Sequence, residues 1–139
     1  MTDKNTVLKT ALYCRTAQQS NLGIEKQKEW LSRFAEENDY HNLSWYIDDG
    51  ESGTTLKRPA TERLIMDIQA GEVQTVIVTS ASRIARNTAL MYDWFRILRD
   101  AGVPCLSLDC GGQEIGGGFN FYNDFMDMYL TLYQRFVSP

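Results

Sequence analysis

The run Val76-Ile77-Val78 is the sequence feature that most constrains the fold of this chain. Three consecutive β-branched apolar residues favour a strand. A strand that lacks polar alternation is typical of one covered on both faces. Such strands belong to parallel sheets, in which crossover helices lie on the two sides. The run therefore predicts an α/β fold.

Strand and helix patterns alternate along the rest of the chain. Strands are predicted over 8–15, 43–47, 73–79 and 103–108, and helices over 24–38, 59–70, 89–101 and 123–137. Polar or glycine-rich segments at 18–23, 48–57 and 111–118 read as loops. This order predicts three layers: a central, mostly parallel sheet of four to five strands, helices on both of its faces, and a C-terminal helix.

Composition limits the class of protein. The 139 residues suit a single domain over 1–139, and a net charge of −4 argues against a stand-alone nucleic-acid-binding module. Cys14, Cys105 and Cys110 are odd in number and lack metal-ligand spacing. No apolar run would span a membrane and no signal peptide is recognisable, so we expect a cytoplasmic protein without membrane contact.

Arginines follow the predicted strand ends. Arg15 lies between Tyr13 and Ala17 on one face of the first strand, and Arg83 and Arg86 follow the third, three residues apart. Arg58 precedes a helix. Taken alone, each of these arginines is better explained as a solvated surface or loop residue. Together, at the carboxyl edge where α/β sheets bind ligands, four guanidiniums predict a phosphate site. The single histidine, His41, has no partner spacing, so we expect no metal.

Four segments, in this order and at these distances, resemble one family. They are Tyr13-Cys14-Arg15-Thr16-Ala17, residues 48–53 (DDGESG), Arg58-Pro59, and residues 82–87 (SRIARN). The chain is similar over about 8–137 to the catalytic domain of serine site-specific recombinases, the resolvase/invertase family. It looks most like the large serine recombinases of phages and conjugative elements.

This resemblance implies a resolvase-like fold and a set of site residues. Arg15, Arg58, Arg83 and Arg86 would hold the scissile DNA phosphate, with Ser52 beside it. Supporting positions would be Tyr13, Gln27, Asp48, Asp49 and Ser82. Position 17, the nucleophile position, holds alanine.

The resemblance also implies a reaction and partners. A serine attacks double-stranded DNA, forms a 5′-phosphoserine link and frees a 3′-hydroxyl, without a cofactor. The active units are homo-oligomers, dimers that pair into tetramers, and the long helix that begins near 123 makes much of that contact. A separate C-terminal DNA-binding region is expected and is absent from 1–139.

Two departures from the family pattern bear on the chemistry. Ala17 has no hydroxyl, whether the alanine is native or introduced, and a methyl group cannot attack phosphorus. Ser80 and its neighbours replace the charged residues that often precede the last motif. Thr16 is predicted to face away from the site, whereas Ser20, in the following loop, could in principle swing in.

Three interpretations stay open on the sequence. The first is a recombinase catalytic domain acting by serine-type transesterification, deficient in cleavage because of Ala17. The second is a non-catalytic relative that joins or regulates a recombinase assembly. The third is an unrelated doubly wound domain for a small phosphorylated ligand, which lacks a supporting P-loop or GxGxxG motif.

Overall fold

The computed structural model describes residues 7–116, in which strands and helices alternate as far as the fourth strand. The strands are β1 (Lys9–Thr16), β2 (Leu43–Asp49), β3 (Val73–Val78), β4 (Cys105–Ser107) and β5 (Gln113–Ile115). The helices are α1 (Asn21–Glu37), α2 (Pro59–Gln69) and α3 (Thr88–Ala101). Single 3₁₀ turns span Ala81–Arg83 and Leu108–Cys110.

The five strands form one sheet in the order β2-β1-β3-β4-β5. The pairs β1–β2, β1–β3 and β3–β4 are parallel, and β4–β5 is antiparallel. Because β1 and β3 lie side by side in the middle, their carboxyl ends meet at the centre of one sheet edge. The predicted α/β class and the mostly parallel sheet are confirmed.

Helices cover both faces of the sheet, as the apolar β3 run predicts. On one face, Leu12 and Ile77 pack against Leu31 of α1. On the other, residues from β1 and β3 pack against α2 and α3 in a larger core. That core includes Tyr13, Val76, Val78, Leu64, Ile68, Trp94 and Leu98. Successive side chains of β1 and β3 point to opposite faces of the sheet, so each strand contributes to both apolar cores.

Helix α1 begins earlier than its apolar pattern predicts. The segment 18–23 reads as a loop, but α1 starts at Asn21 because the Ser20 side chain accepts a hydrogen bond from the Gly23 amide (3.0 Å). Serine at this position satisfies an amide that has no partner within the helix. The cap thus adds a first turn to the helix predicted from Ile24 onward.

The glycine-rich segment 111–118, which is predicted to be a loop, contains the short strand β5. Gly111 and Gly112 have φ of +71° and +78°, a left-handed backbone that glycine adopts at low cost. The chain therefore reverses, and Gln113–Ile115 pairs antiparallel with β4. The predicted loop over 111–118 is wrong for these three residues. The helix predicted over 123–137 lies outside the described residues.

Within residues 7–116, no helix is long and apolar enough to cross a membrane.

A pair of identical substitutions tests the two-layer core. Leu64 on α2 is fully buried, whereas Leu22 on α1 is 68% exposed. We expect Leu64→Ala to lower the free energy of unfolding by about 2–5 kcal/mol, since it leaves a cavity. Leu22→Ala should change it by less than about 0.5 kcal/mol. Chemical denaturation measures both, and equal losses would contradict this assignment of the core.

Candidate active site

The candidate site lies where β1, β2 and β3 end at one edge of the sheet. Arg15 is the penultimate residue of β1, the segment 50–58 follows β2, and the turn Ala81–Arg83 follows β3. Parallel strands bring these three connections together although they are far apart in the sequence. The predicted convergence of the arginines on one edge is what the geometry shows.

Asp48 organises the buried side of this edge. Its carboxylate accepts hydrogen bonds from the Tyr13 hydroxyl (2.7 Å), the Thr61 hydroxyl (2.8 Å) and the Ala60 and Thr61 amides (2.8 and 3.0 Å). The two amides belong to the first turn of α2, where a negative charge is favourable. Asp48 also lies 3.6 Å from the Arg58 Nε. The carboxylate thereby joins β1, β2 and α2.

Arg15 is 1% exposed and binds backbone rather than side chains. Its Nε donates to the Arg83 carbonyl (2.7 Å), Nη2 to the Ser82 carbonyl (2.8 Å) and Nη1 to the Glu51 carbonyl (2.9 Å). Burial, followed by the charge of Arg58, lowers the pKa of Arg15 from its ordinary value. The guanidinium nevertheless stays protonated, as arginine does in proteins.

Arg58 is fully buried and makes a second set of such bonds. Its Nη1 donates to the Ser52 and Thr55 carbonyls (3.2 and 3.0 Å), and its Nη2 donates to the Ile84 carbonyl (2.5 Å). Its Nε donates to the Thr61 hydroxyl (3.1 Å). The side chain therefore ties the segment after β2 to the turn after β3.

Arg83 and Arg86 lie nearer the solvent. Arg83 is half-buried, and its Nη1 donates to the Arg15 carbonyl (3.2 Å), while its buried Nε has no hydrogen-bond partner among the described residues. Arg86 is exposed, and its backbone amide donates to the Gly53 carbonyl (3.0 Å). These two arginines line the open side of the edge.

The positive charge at this edge is only partly compensated. Within residues 7–116, Arg58 forms an ion pair with Asp48, but Arg15, Arg83 and Arg86 form none. After burial, the charges of Arg58, Arg86 and Arg83 each lower the pKa of Arg15. Clustered guanidiniums without carboxylates repel one another, so the arrangement favours a bound anion.

The remaining predicted site residues also reach this edge. Ala17 is exposed, one residue beyond β1. The exposed hydroxyls of Ser52 and Ser82 pair with Thr54 (2.7 Å) and Ser80 (2.8 Å). Buried Gln27 on α1 holds the end of β1, since its amide group accepts from the Arg15 N–H (3.1 Å) and donates to the Arg15 carbonyl (3.0 Å).

Asp49 lies on the other side of the strand ends, with Thr16 and Ser20, which precede and follow Ala17 in the sequence. It accepts from the Thr16 hydroxyl (2.6 Å) and the Ser20 amide (2.8 Å). These two hydrogen bonds, the Thr16 one first, lower the pKa of the Asp49 carboxyl. Asp48 therefore binds the first turn of α2, whereas the adjacent Asp49 binds the end of β1 and the loop between β1 and α1.

Two residues of the site escape the sequence reasoning. Thr61 bridges Asp48 and Arg58, and a threonine three residues after Arg58 at a helix start is its only local signal. Gly53 has no positive φ to explain it. Instead, a Cβ there would lie 2.8 Å from the Arg86 Cγ and 2.9 Å from the Arg15 Nη2. Close approach to two arginine side chains requires glycine.

Residues 10–135 match the family model described as "Resolvase, N terminal domain". The chain belongs to this family. No curated protein matches it in sequence. Membership of this family confirms the predicted resemblance and excludes the interpretation as an unrelated doubly wound domain.

Solved structures of recombinases are similar to this resolvase-family domain. The N-terminal catalytic domain of TP901-1 integrase superposes with a TM-score of 0.75 at 23% identity, covering 94% of this chain and 99% of that one. A resolvase family site-specific recombinase from Streptococcus pneumoniae gives 0.72 at 25% identity, covering 94% and 91%. The C-terminal catalytic domain of ISC1926 TnpA, an IS607-like serine recombinase, gives 0.67 at 17% identity, covering 93% and 83%.

Gly53→Ala tests the close approach of two arginine side chains to Gly53 in the candidate site. The added methyl group would displace the Arg15 and Arg86 side chains, so we expect the free energy of unfolding to fall by about 1–3 kcal/mol. Thr54→Ala, an exposed change in the same loop, should cost less than about 0.5 kcal/mol. Thermal denaturation compares them. If Gly53→Ala left the free energy of unfolding unchanged, the positions of the Arg15 and Arg86 side chains would not require a glycine at position 53.

The Thr16–Asp49 hydrogen bond predicts a pH effect. A carboxyl whose pKa is lowered by folding stabilises the domain above its unfolded pKa, and this stability is lost as the pH falls through the folded pKa. Thr16→Val should raise the pKa of the Asp49 carboxyl back towards its ordinary value, because the hydrogen bond that lowers it most is lost. The free energy of unfolding of Thr16→Val should therefore differ most from that of the wild type near neutral pH, and the difference should become smaller in acid. Carboxyl-carbon NMR titration measures the pKa, and an unchanged value would contradict the prediction.

Proposed function

We propose that this chain is the catalytic domain of a DNA site-specific recombinase and that it does not cleave DNA as it stands. The observation that carries the proposal is an exposed Ala17 two residues beyond Arg15, at an arginine-rich sheet edge. Double-stranded DNA is the expected partner, and homo-oligomers, dimers that pair into tetramers, are the expected active form. Membership of the resolvase family supports both expectations.

The proposed division of labour follows from the reaction. In serine-type transesterification the serine hydroxyl gives up its proton as its oxygen bonds to phosphorus. The 3′-oxygen leaves with the electron pair of the broken P–O bond and takes up a proton to become a 3′-hydroxyl, and the 5′-phosphoserine conserves the bond energy. Negative charge on the pentacovalent phosphorus would be stabilised by preorganised guanidiniums, which this edge supplies without a cofactor. The alanine methyl group has no lone pair with which to begin the reaction.

Neighbouring hydroxyls are poor substitutes for the missing one. The Thr16 hydroxyl donates to Asp49 and accepts from the Gly50 amide (3.1 Å). The Ser20 hydroxyl caps α1 through the Gly23 amide, so attack by Ser20 would require the first turn of the helix to lose its cap. Both groups have structural partners, which supports the assignment of position 17 as the nucleophile position.

A non-catalytic relative that joins or regulates a recombinase assembly is the second candidate. The observation that favours it is the combination of a lost nucleophile with Ser80, which stands where the family often has a charged residue, just before the motif that begins at Ser82. Their hydroxyls pair with each other and bring no charged group to the site. The phosphate-binding arginines would then hold DNA while a partner subunit cleaves it.

Ala17→Ser tests the proposal directly. The change adds one oxygen at an exposed position, so we expect the fold to persist with a stability change within about 0.5 kcal/mol. The full-length protein is incubated with labelled fragments of the genome that encodes it, and covalent adducts are sought on a denaturing gel. We expect an adduct for Ala17→Ser and none for the wild type.

Gln18→Ser is the matched control, because it places a serine on the adjacent exposed residue. We expect it to form no adduct. A wild-type adduct that maps to Ser20 would contradict the assignment of position 17. A folded Ala17→Ser protein without any adduct would instead favour the non-catalytic candidate.

A further inference from the structure

The Thr61 hydroxyl lies between two buried charges of the candidate site. Its oxygen is 2.8 Å from the Asp48 carboxylate and 3.1 Å from the Arg58 Nε, whereas the carboxylate and the Nε are 3.6 Å apart. A direct hydrogen bond between such charged groups spans about 2.7–2.9 Å. All three side chains are buried. Asp48 and Arg58 are therefore joined through the hydroxyl rather than by a hydrogen bond of their own.

The direction of each hydrogen bond at Thr61 follows from which groups carry protons. The Arg58 Nε can only donate, so the Thr61 oxygen accepts from it. The one hydroxyl proton of Thr61 then goes to Asp48 or to the Tyr13 oxygen, 2.9 Å away. Burial raises the pKa of the Tyr13 hydroxyl, which stays protonated and itself donates to Asp48. The Thr61 hydroxyl is thus engaged as donor and as acceptor.

The start of α2 explains why Thr61 reaches Arg58. Arg58 is the residue before the helix, Pro59 is the first helical residue and Thr61 is the third. In the first turn of a helix, the side chains at these two positions lie close together. Threonine is branched at Cβ and has few rotamers, so its hydroxyl stays where the backbone places it.

The other two nitrogens of Arg58 depend on where its Nε is held. Nη1 donates to the Ser52 and Thr55 carbonyls, and Nη2 donates to the Ile84 carbonyl. Because the guanidinium is planar and rigid, the position of Nε sets the directions of both Nη groups. Without the hydroxyl, attraction would draw the Nε of Arg58 onto Asp48 and turn both Nη groups away from their carbonyls.

We propose that Thr61 is a positioning residue of the candidate site. Its hydroxyl holds the Arg58 guanidinium apart from Asp48, in the orientation that assembles the anion-binding edge. The inference deepens the proposed function and rests on it. Thr61 acts through Arg58 and touches no reacting atom.

Substitutions at position 61 separate the hydroxyl from the shape of the side chain. Thr61→Val keeps the shape and removes the hydroxyl, whereas Thr61→Ser keeps the hydroxyl. The full-length protein is titrated with inorganic sulfate and followed by its arginine Nε–H NMR signals. We expect Thr61→Val to bind sulfate about tenfold more weakly than the wild type, a loss typical of one hydrogen bond to a charged group. Thr61→Ser should restore the wild-type affinity.

Thr79→Val is the matched control. Thr79 is also buried, but its hydroxyl has no hydrogen-bond partner among the described residues, so we expect no change in sulfate affinity. Wild-type affinity in Thr61→Val, or an equal loss in Thr61→Ser, would overturn the inference alone. A wild-type protein that binds no sulfate would overturn the proposed phosphate site, and the inference with it.

The unsubstituted protein gives a second measurement, which decides the matter if Thr61→Val does not fold. A hydroxyl proton that is buried and hydrogen-bonded exchanges slowly with water. We therefore expect a resolved NMR signal for the Thr61 hydroxyl proton, with a nuclear Overhauser cross-peak to the Arg58 Nε–H. A Thr61 hydroxyl proton in rapid exchange with water, or one without this cross-peak, would overturn the inference.

Discussion

The Asp48 carboxylate is the interaction on which the site edge depends. It accepts hydrogen bonds from the Tyr13 and Thr61 hydroxyls and from two amides of the first turn of α2. It also forms an ion pair with the buried Arg58. Removal of one partner from a buried ion pair costs about 3–5 kcal/mol, because the other charge is left unpaired. The position of α2, the orientation of Arg58 and the end of β1 all follow from this one group.

From Asp48 outward, the site is ordered by hydrogen bonds between charged side chains and backbone. Arg58 and Arg15 bind carbonyls that no helix or strand uses, and so they fix two loops that regular secondary structure cannot fix. The result is a rigid edge with unpaired positive charge on its open side. The hydrogen bonds that order this edge involve no atom of Ala17, so the arrangement of the guanidiniums does not depend on a hydroxyl at position 17.

Local pattern predicts the elements of the fold well where one physical signal dominates. The β3 run gives a strand covered on both faces, and Pro59 and Gly71 bracket α2, which spans Pro59–Gln69. Prediction fails where a hydrogen bond or a backbone conformation outweighs composition. The Ser20 cap lengthens α1, and the left-handed Gly111 and Gly112 turn a glycine-rich segment into the entry to β5.

The amino-acid pattern alone is enough to specify an α/β sheet whose carboxyl edge carries four arginines, because strand periodicity and chain order are local properties. It also shows that position 17 lacks a hydroxyl. It does not separate buried from exposed arginines, nor does it give the roles of Thr61 and Gly53. Those depend on contacts such as Arg15 with the Ser82 carbonyl, 67 residues away. Contacts at that distance leave no periodic trace in the sequence and exist only once the sheet has brought its loops together.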